Sequence, residues 1–277
     1  MNYLVLVGAP KCGTTTLASW LGSMPDAALS EDKETLFFTD FAKRKWSGPG
    51  AYSVDQIKVI PHDIAAFEAQ FASNREAQLR IEASTDNLSC EGAAENIARL
   101  ADRKDVENVW VVAILRDPIQ RIVSEFEHTL RLGWQSGSLM RSLQAENERL
   151  SQGWHPLFWH VRRSCYASQL DHYRRLFGEQ LLIMDFHRLN DSSERQRLLR
   201  FIGRPDESAE TLLERQNQRS VLARPHGVKL LKDKRLTSLG RALVPKAVRP
   251  SVKRLITGGP IERYQPNDEE IAFIRSA

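Results

Sequence analysis

Val5-Leu6-Val7-Gly8-Ala9-Pro10-Lys11-Cys12-Gly13-Thr14-Thr15-Thr16-Leu17 decides the fold. An apolar run ends in a loop bounded by Gly8 and Gly13, and a helix-forming stretch follows. Glycines at both ends let the loop curl until its backbone N–H groups converge, and the helix behind it adds the positive end of its dipole. That geometry holds a phosphate. In the G-x-x-x-x-G-K-[ST] loop of ATP and GTP binders the lysine follows the second glycine. Here Thr14 takes that place and Lys11 lies inside the loop, so the cradled anion is not expected to be a nucleoside triphosphate.

Outward from this stretch, four short apolar runs read as buried parallel strands, at residues 3–7, 78–83, 109–115 and 180–186. Helical spacing lies between them, first through Leu17, Trp20, Leu21 and Met24. It recurs over 63–71, 91–101, 119–132, 166–177 and 193–202. Alternating strands and helices predict an α/β protein, a P-loop-like three-layer fold with a central parallel sheet flanked by helices. In such sheets ligands bind beyond the carboxyl ends of the strands. There the first loop should meet Glu82-Ala83-Ser84 and Arg116-Asp117-Pro118. Residues 43–61, rich in Gly, Pro and Ser, read as a surface loop.

All 277 residues are expected to form one domain, 42% hydrophobic and 27% charged, without internal repeats. No apolar run approaches the roughly 20 residues of a membrane span, and the apolar stretch at 3–7 is too short for a secretory leader. Cys12, Cys90 and Cys165 form neither a metal-spaced cluster nor a disulfide framework, which suits a reducing cytoplasm. Net charge is +4 but unevenly spread: residues 215–263 carry thirteen Lys or Arg against Asp233 and Glu262. Such a segment favours an anionic ligand or a membrane surface, or is a solvated basic face. Its part 228–244 keeps an amphipathic helical spacing, and the segment 215–263 is expected to form a partly helical flap over the site. The segment lacks the interleaved aromatics of a nucleic-acid stacking surface, and no nucleic-acid partner is expected.

The second informative stretch runs from Ile114 to Phe126. Arg116 stands at the mouth of a strand and Ser124 two turns into the following helix. A guanidinium and a hydroxyl so placed can converge on one phosphate, which the planar fork of arginine suits. Read alone, Arg116 pairs equally well with an acid such as Asp117.

Together the two stretches resemble the sulfotransferases that use 3′-phosphoadenosine 5′-phosphosulfate (PAPS), especially the heparan sulfate sulfotransferase-like branch and its bacterial relatives. The family's P-K-x-G-T-T loop matches Pro10 to Thr15, and its R-[DN]-P-x-x-R-x-x-S stretch matches Arg116 to Ser124. The resemblance implies that Lys11, Cys12, Gly13, Thr14, Thr15 and Thr16 hold the 5′-phosphosulfate. It implies equally that Arg116 and Ser124 read the 3′-phosphate that remains on the product 3′-phosphoadenosine 5′-phosphate (PAP). A K-E-x-x-F-F element matches Lys33 to Phe38, which makes Glu34 the base that takes the acceptor's proton, with Lys33 beside it. Glu31 and Asp32 lie close enough in sequence to be confused with Glu34. Phe37 and Phe38 read as core packing.

His128, one turn beyond Ser124, matches a histidine that in some members faces the reaction centre; otherwise it is structural. Glu82 and Ser84 match an element lining the acceptor side, or simply fix local hydrogen bonds. The implied reaction is in-line transfer of a sulfuryl group to a hydroxyl of a small-molecule, lipid or carbohydrate acceptor. Lys11 would neutralise the departing phosphate, and no metal is expected. His155, His160 and His172 read as structural or exposed. The chain departs from the heparan-type pattern in having no cysteine after Cys165 and no K-G-R stretch. It stops at Ala277 inside what resembles the family's final helix. A P-loop nucleotide kinase is the rival enzyme, argued against by the missing Gly-Lys-[Ser/Thr]. Non-catalytic binding of nucleic acid or of an anionic membrane surface through 215–263 is the other alternative.

Overall fold

The computed structural model describes residues 1–41, 44–50, 63–210 and 264–276. The expected flap at 215–263 and most of the loop at 43–61 lie outside the described residues. β1 (Asn2–Gly8) is buried along nearly its whole length, as a central parallel strand must be, and this is why it reads as an unbroken apolar run. It is flanked by β3 (Leu79–Glu82) and β4 (Asn108–Leu115), with β5 (Leu181–Asp185) beyond β4. A fifth strand, β2 (Ala27–Leu29), was not visible in the sequence. Three residues, two of them alanine, carry too little β-branched signal, and only pairing with β3 makes them a strand. The order is β2-β3-β1-β4-β5, all parallel.

The chain builds outward from β1 on one side and then crosses to β4 on the other, so the loop after β1 lies at the switch point of the sheet. Pairing of β1 with β4 slips between Leu6 and Gly8, and Ala9 N then donates to Ile114 O at 2.7 Å. On the other flank Leu88 N donates to Val7 O at 2.8 Å. The carboxyl ends of β1, β3 and β4 are thereby tied together.

Helices cover the sheet close to where periodicity placed them at α1 (Thr14–Leu21), α2 (Ile64–Ala69), α3 (Ala93–Ala101) and α4 (Pro118–Arg131); α5 (Leu139–Gln144) and α6 (Glu146–Ser151) follow. α7 (Tyr166–Phe177), α8 (Ser192–Phe201) and α9 (Asp268–Ser276) complete the described set. α5 and α6 were not read from sequence, since six residues span under two turns. α4 starts where Asp117 accepts from Gln120 N at 2.8 Å and Pro118 fills the first helical position, a start signal plain in the sequence. The main core surrounds the sheet. A smaller apolar group packs Ile122, Val123 and Phe126 of α4 against Leu139 and Leu143 of α5 and Ile274 of α9. Among the described residues no helix is long and apolar enough to cross a membrane.

Candidate active site

Gly13 has φ 85° and ends the loop as the cap of α1, with no side chain bonded to the helix start and no acid in its first turn. The first-turn N–H groups of a helix have no intrahelical acceptor. At Thr14, Thr15 and Thr16 they therefore face the loop with the positive end of the helix dipole behind them. Glycine is required at Gly8, where φ is 148° and a Cβ would stand 2.8 Å from the Thr85 carbonyl oxygen. Lys11 (φ 66°) and Glu34 (φ 62°) are two of the three non-glycine residues with positive φ among those described. That backbone costs an L-residue roughly 1–2 kcal/mol, and strain of this kind gathers at functional sites. The Cys12 side chain faces inward: its thiol donates to Pro10 O at 3.5 Å, and burial pushes its pKa up to about 11. Only its backbone is available to a ligand.

The second stretch meets the first here. Arg116 Nη1 donates to Lys11 O at 3.5 Å, while Nε and Nη2 donate to Gln120 Oε1 at 3.3 and 3.2 Å. Its guanidinium stacks over the Phe186 ring at 4.7 Å. Ser124 and His128 follow on α4, both half-buried.

The electrostatics show what else shares this space. Burial and then Arg131 lower the pKa of Lys11 to about 8, Lys33 adding to the effect and Glu125 opposing it. Burial, then Lys11 and Arg131, lower His128 to about 4, so its ring is neutral at physiological pH. Lys11 thus feels Arg131 and Lys33, and His128 feels Lys11 and Arg131. Arg131 went unnoticed in the sequence, where its position three residues after His128, on the same helical face, was the available signal.

Glu34 is fixed at the carboxyl edge of β3. Its Oε2 accepts from Thr85 N at 2.6 Å and from Thr85 Oγ1 at 3.1 Å, and Lys33 Nζ lies 2.5 Å from Oε1. Glu31 and Asp32 are instead tied through their backbone N–H groups to Gln70. For Glu82 and Ser84 the arrangement fits the reading in which they fix local hydrogen bonds. Both are fully buried. Glu82 accepts from Thr35 Oγ1 at 2.8 Å, from Asn87 Nδ2 at 3.1 Å and from Ser84 Oγ. Ser84 Oγ in turn accepts from Leu36 N at 3.0 Å. Their work is to hold the turn that presents Glu34, and burial pushes Glu82 up to about 7. Phe37 and Phe38 are core residues, Phe37 stacking on Phe67 with centroids 4.3 Å apart.

His155 and His160 are buried, and His172 is partly exposed against Glu95. A cavity of about 560 Å³ opens at the far end of the sheet, by Asn2, Asn108 and the Asp26–Arg204 ion pair. It touches none of the residues of the Lys11 loop, of α4 or of the Glu34 turn.

No protein-family profile and no curated protein matches this chain. Solved structures do. A sulfotransferase from Alicyclobacillus acidocaldarius is similar with a TM-score of 0.67 and 25% identity, over 89% of this chain and 98% of that one. The sulfotransferase domain of the Synechococcus PCC 7002 olefin synthase (TM-score 0.45, 14% identity) covers 100% of this chain and 93% of that domain. The sulfotransferase domain from the curacin biosynthetic pathway (0.48, 13%) covers 100% and 96%. Likenesses as loose as the last two carry no weight. The first supports the sulfotransferase family, without singling out the heparan sulfate branch.

Proposed function

Taking membership of the sulfotransferase family as the premise, we propose that this chain transfers a sulfuryl group from PAPS to a hydroxyl of a small-molecule, lipid or carbohydrate acceptor. The observation that carries the reading is the meeting of the two stretches at one point. The Lys11 loop touches Arg116, and the helix that starts two residues after Arg116 carries Ser124 and His128. Phosphates at two positions need two such sets of donors, and a single-phosphate cradle does not account for the second.

The residues present fit the donor. Backbone N–H groups from Lys11 to Thr16 hold the 5′-phosphate, since the start of α1 supplies donors with no protein acceptor. Arg116 and Ser124 take the 3′-phosphate. PAPS supplies, when bound, a sulfuryl group on a phosphate leaving group. Lys11 places its ammonium where charge grows on the leaving oxygen, the placement that most lowers a barrier. With a pKa of about 8 it is mostly charged at neutral pH. Glu34, oriented by Thr85, accepts the proton of the attacking hydroxyl. Neutral His128 offers one ring N–H as a hydrogen-bond donor and is not charged to act as an acid. Lys33 holds the Glu34 carboxylate and adds positive charge on the acceptor side.

Calorimetry with PAP against ATP and Mg²⁺ tests the reading. Tight, metal-independent binding of PAP is expected, and a preference for Mg-ATP would return the chain to the kinase alternative.

A further inference from the structure

Between the two sides of the cleft lies a group of buried charges that the proposed reaction does not use. Glu125 is wholly buried on α4, one residue after Ser124 and three before His128. Its Oε2 accepts from Arg121 Nη2 at 2.9 Å and lies 3.1 Å from His160 Nδ1. Its Oε1 accepts from Arg163 Nη1 at 2.7 Å. The other arm of the same guanidinium, Nη2 of Arg163, donates to Asp86 Oδ1. Asp86 directly follows Thr85, the residue whose N–H holds Glu34. Arg121 is anchored in turn by Ser164 Oγ at 2.5 Å and by His160 O at 2.6 Å.

These bonds form one continuous path from the helix that bears Ser124 and His128 to the loop that orients Glu34. A buried ion pair is a poor device for stability, because apolar side chains of like volume do as well or better. It does fix geometry. The guanidinium is a rigid fork, so its two arms hold Asp86 and Glu125 at a set separation and angle, which a flexible ammonium cannot. Burial alone would raise Glu125. Arg121 and Arg163, with His160, instead hold it well below the usual carboxylate range, so the path stays charged at neutral pH.

We propose that Glu125, Arg163 and Asp86 are positioning residues, a buried bridge that locks the donor-side helix α4 to the acceptor-side loop of Glu34. The assignment of the two sides rests on the sulfuryl-transfer reading; the bridge itself does not. Misplacement by about 1 Å at a distance from the chemistry is enough to cost about a hundredfold in rate.

The test uses Arg163→Lys, which keeps the charge but not the fork, and Asp86→Asn, which releases only the loop end and is nearly isosteric. Each is compared with the wild type by amide hydrogen exchange, by calorimetry with PAP, and by PAP and sulfate formed from PAPS with water as the acceptor. Exchange at residues 33–38 and 84–88 should rise by about tenfold or more while that in α8 stays within about twofold. PAP affinity should hold within about threefold, since neither residue touches the donor cradle, and PAP formation should fall roughly 10- to 100-fold. The bridge is overturned if both variants exchange and turn over as the wild type does. It is equally overturned if exchange rises alike in α8, which would make these charges a general support of the fold. Failure of the wild type to bind PAP would sink the sulfuryl-transfer reading instead, leaving the exchange comparison to decide the bridge.

Discussion

Lys11 offers the most quantitative check on the donor site, because its charge is lost within an accessible pH range. Burial and then Arg131 bring its pKa down to about 8. A phosphate against Nζ favours the ammonium, so the pKa in the complex lies above that of the free protein, and binding must weaken as pH rises through about 8. For a group with that pKa, roughly nine-tenths is charged at about pH 7 and roughly 3% at about pH 9.5. If only the charged form binds, PAP affinity falls by up to about thirtyfold over this interval, or about 2 kcal/mol. The ligand's own phosphates, with a second pKa of about 6, are already ionised throughout. Calorimetry at several pH values in buffers of different ionisation enthalpy reads both the loss of affinity and the uptake of about half a proton near pH 8. Lys11→Met should bind more weakly and lose the slope. A flat wild-type profile, or a Lys11→Met profile that keeps the slope, would refute the placement of Lys11 against the phosphate.

Glu34→Gln should lower transfer by at least about a hundredfold with PAP affinity nearly unchanged, and surviving turnover would remove Glu34 as the base. His128→Asn keeps an N–H donor and should cost less in kcat than His128→Ala, by about tenfold; equal losses would point to proton transfer rather than hydrogen bonding. Gly8→Ala places a methyl group against the Thr85 carbonyl oxygen at a backbone angle that suits glycine, and should lose roughly 2–5 kcal/mol in a urea melt. The Glu82 pKa is raised from 4.5 to about 7, so its contribution to stability is present below about pH 4.5 and lost as pH rises to about 7. Glu82→Gln should flatten that part of the stability profile, which urea melts at stepped pH would read.

Much of this was legible because it rested on local rules. The sheet followed from apolar runs buried on both faces, and α4 from the Asp117-Pro118 start. The turn from β1 into α1 followed from glycine spacing, all within a dozen residues of sequence. What escaped was set by tertiary contact. β2 exists because β3 offers it a partner, and the carboxylate of Glu82 is spoken for by donors up to 47 residues away. Arg121 and Glu125 stand four apart on a helix, a spacing that in sequence reads as an ordinary solvated pair. Only the fold, by bringing Arg163 and Asp86 against them, turns that pair into a buried bridge.

The bridge and the donor cradle are also joined through their charges. Burial, then Arg131, and also Lys33, push Lys11 toward its neutral form. Left to these alone, Lys11 would shed the proton that an incoming phosphate needs. Glu125 acts in the opposite direction on both Lys11 and His128, from a position where solvent does not screen it. One buried carboxylate therefore fixes the setting of α4 and helps keep Lys11 charged. Both effects fail together in Glu125→Gln, where the midpoint of the PAP affinity profile should move below pH 8 while Asp86→Asn leaves it in place. That contrast separates the field of Glu125 from the geometry it shares with Arg163.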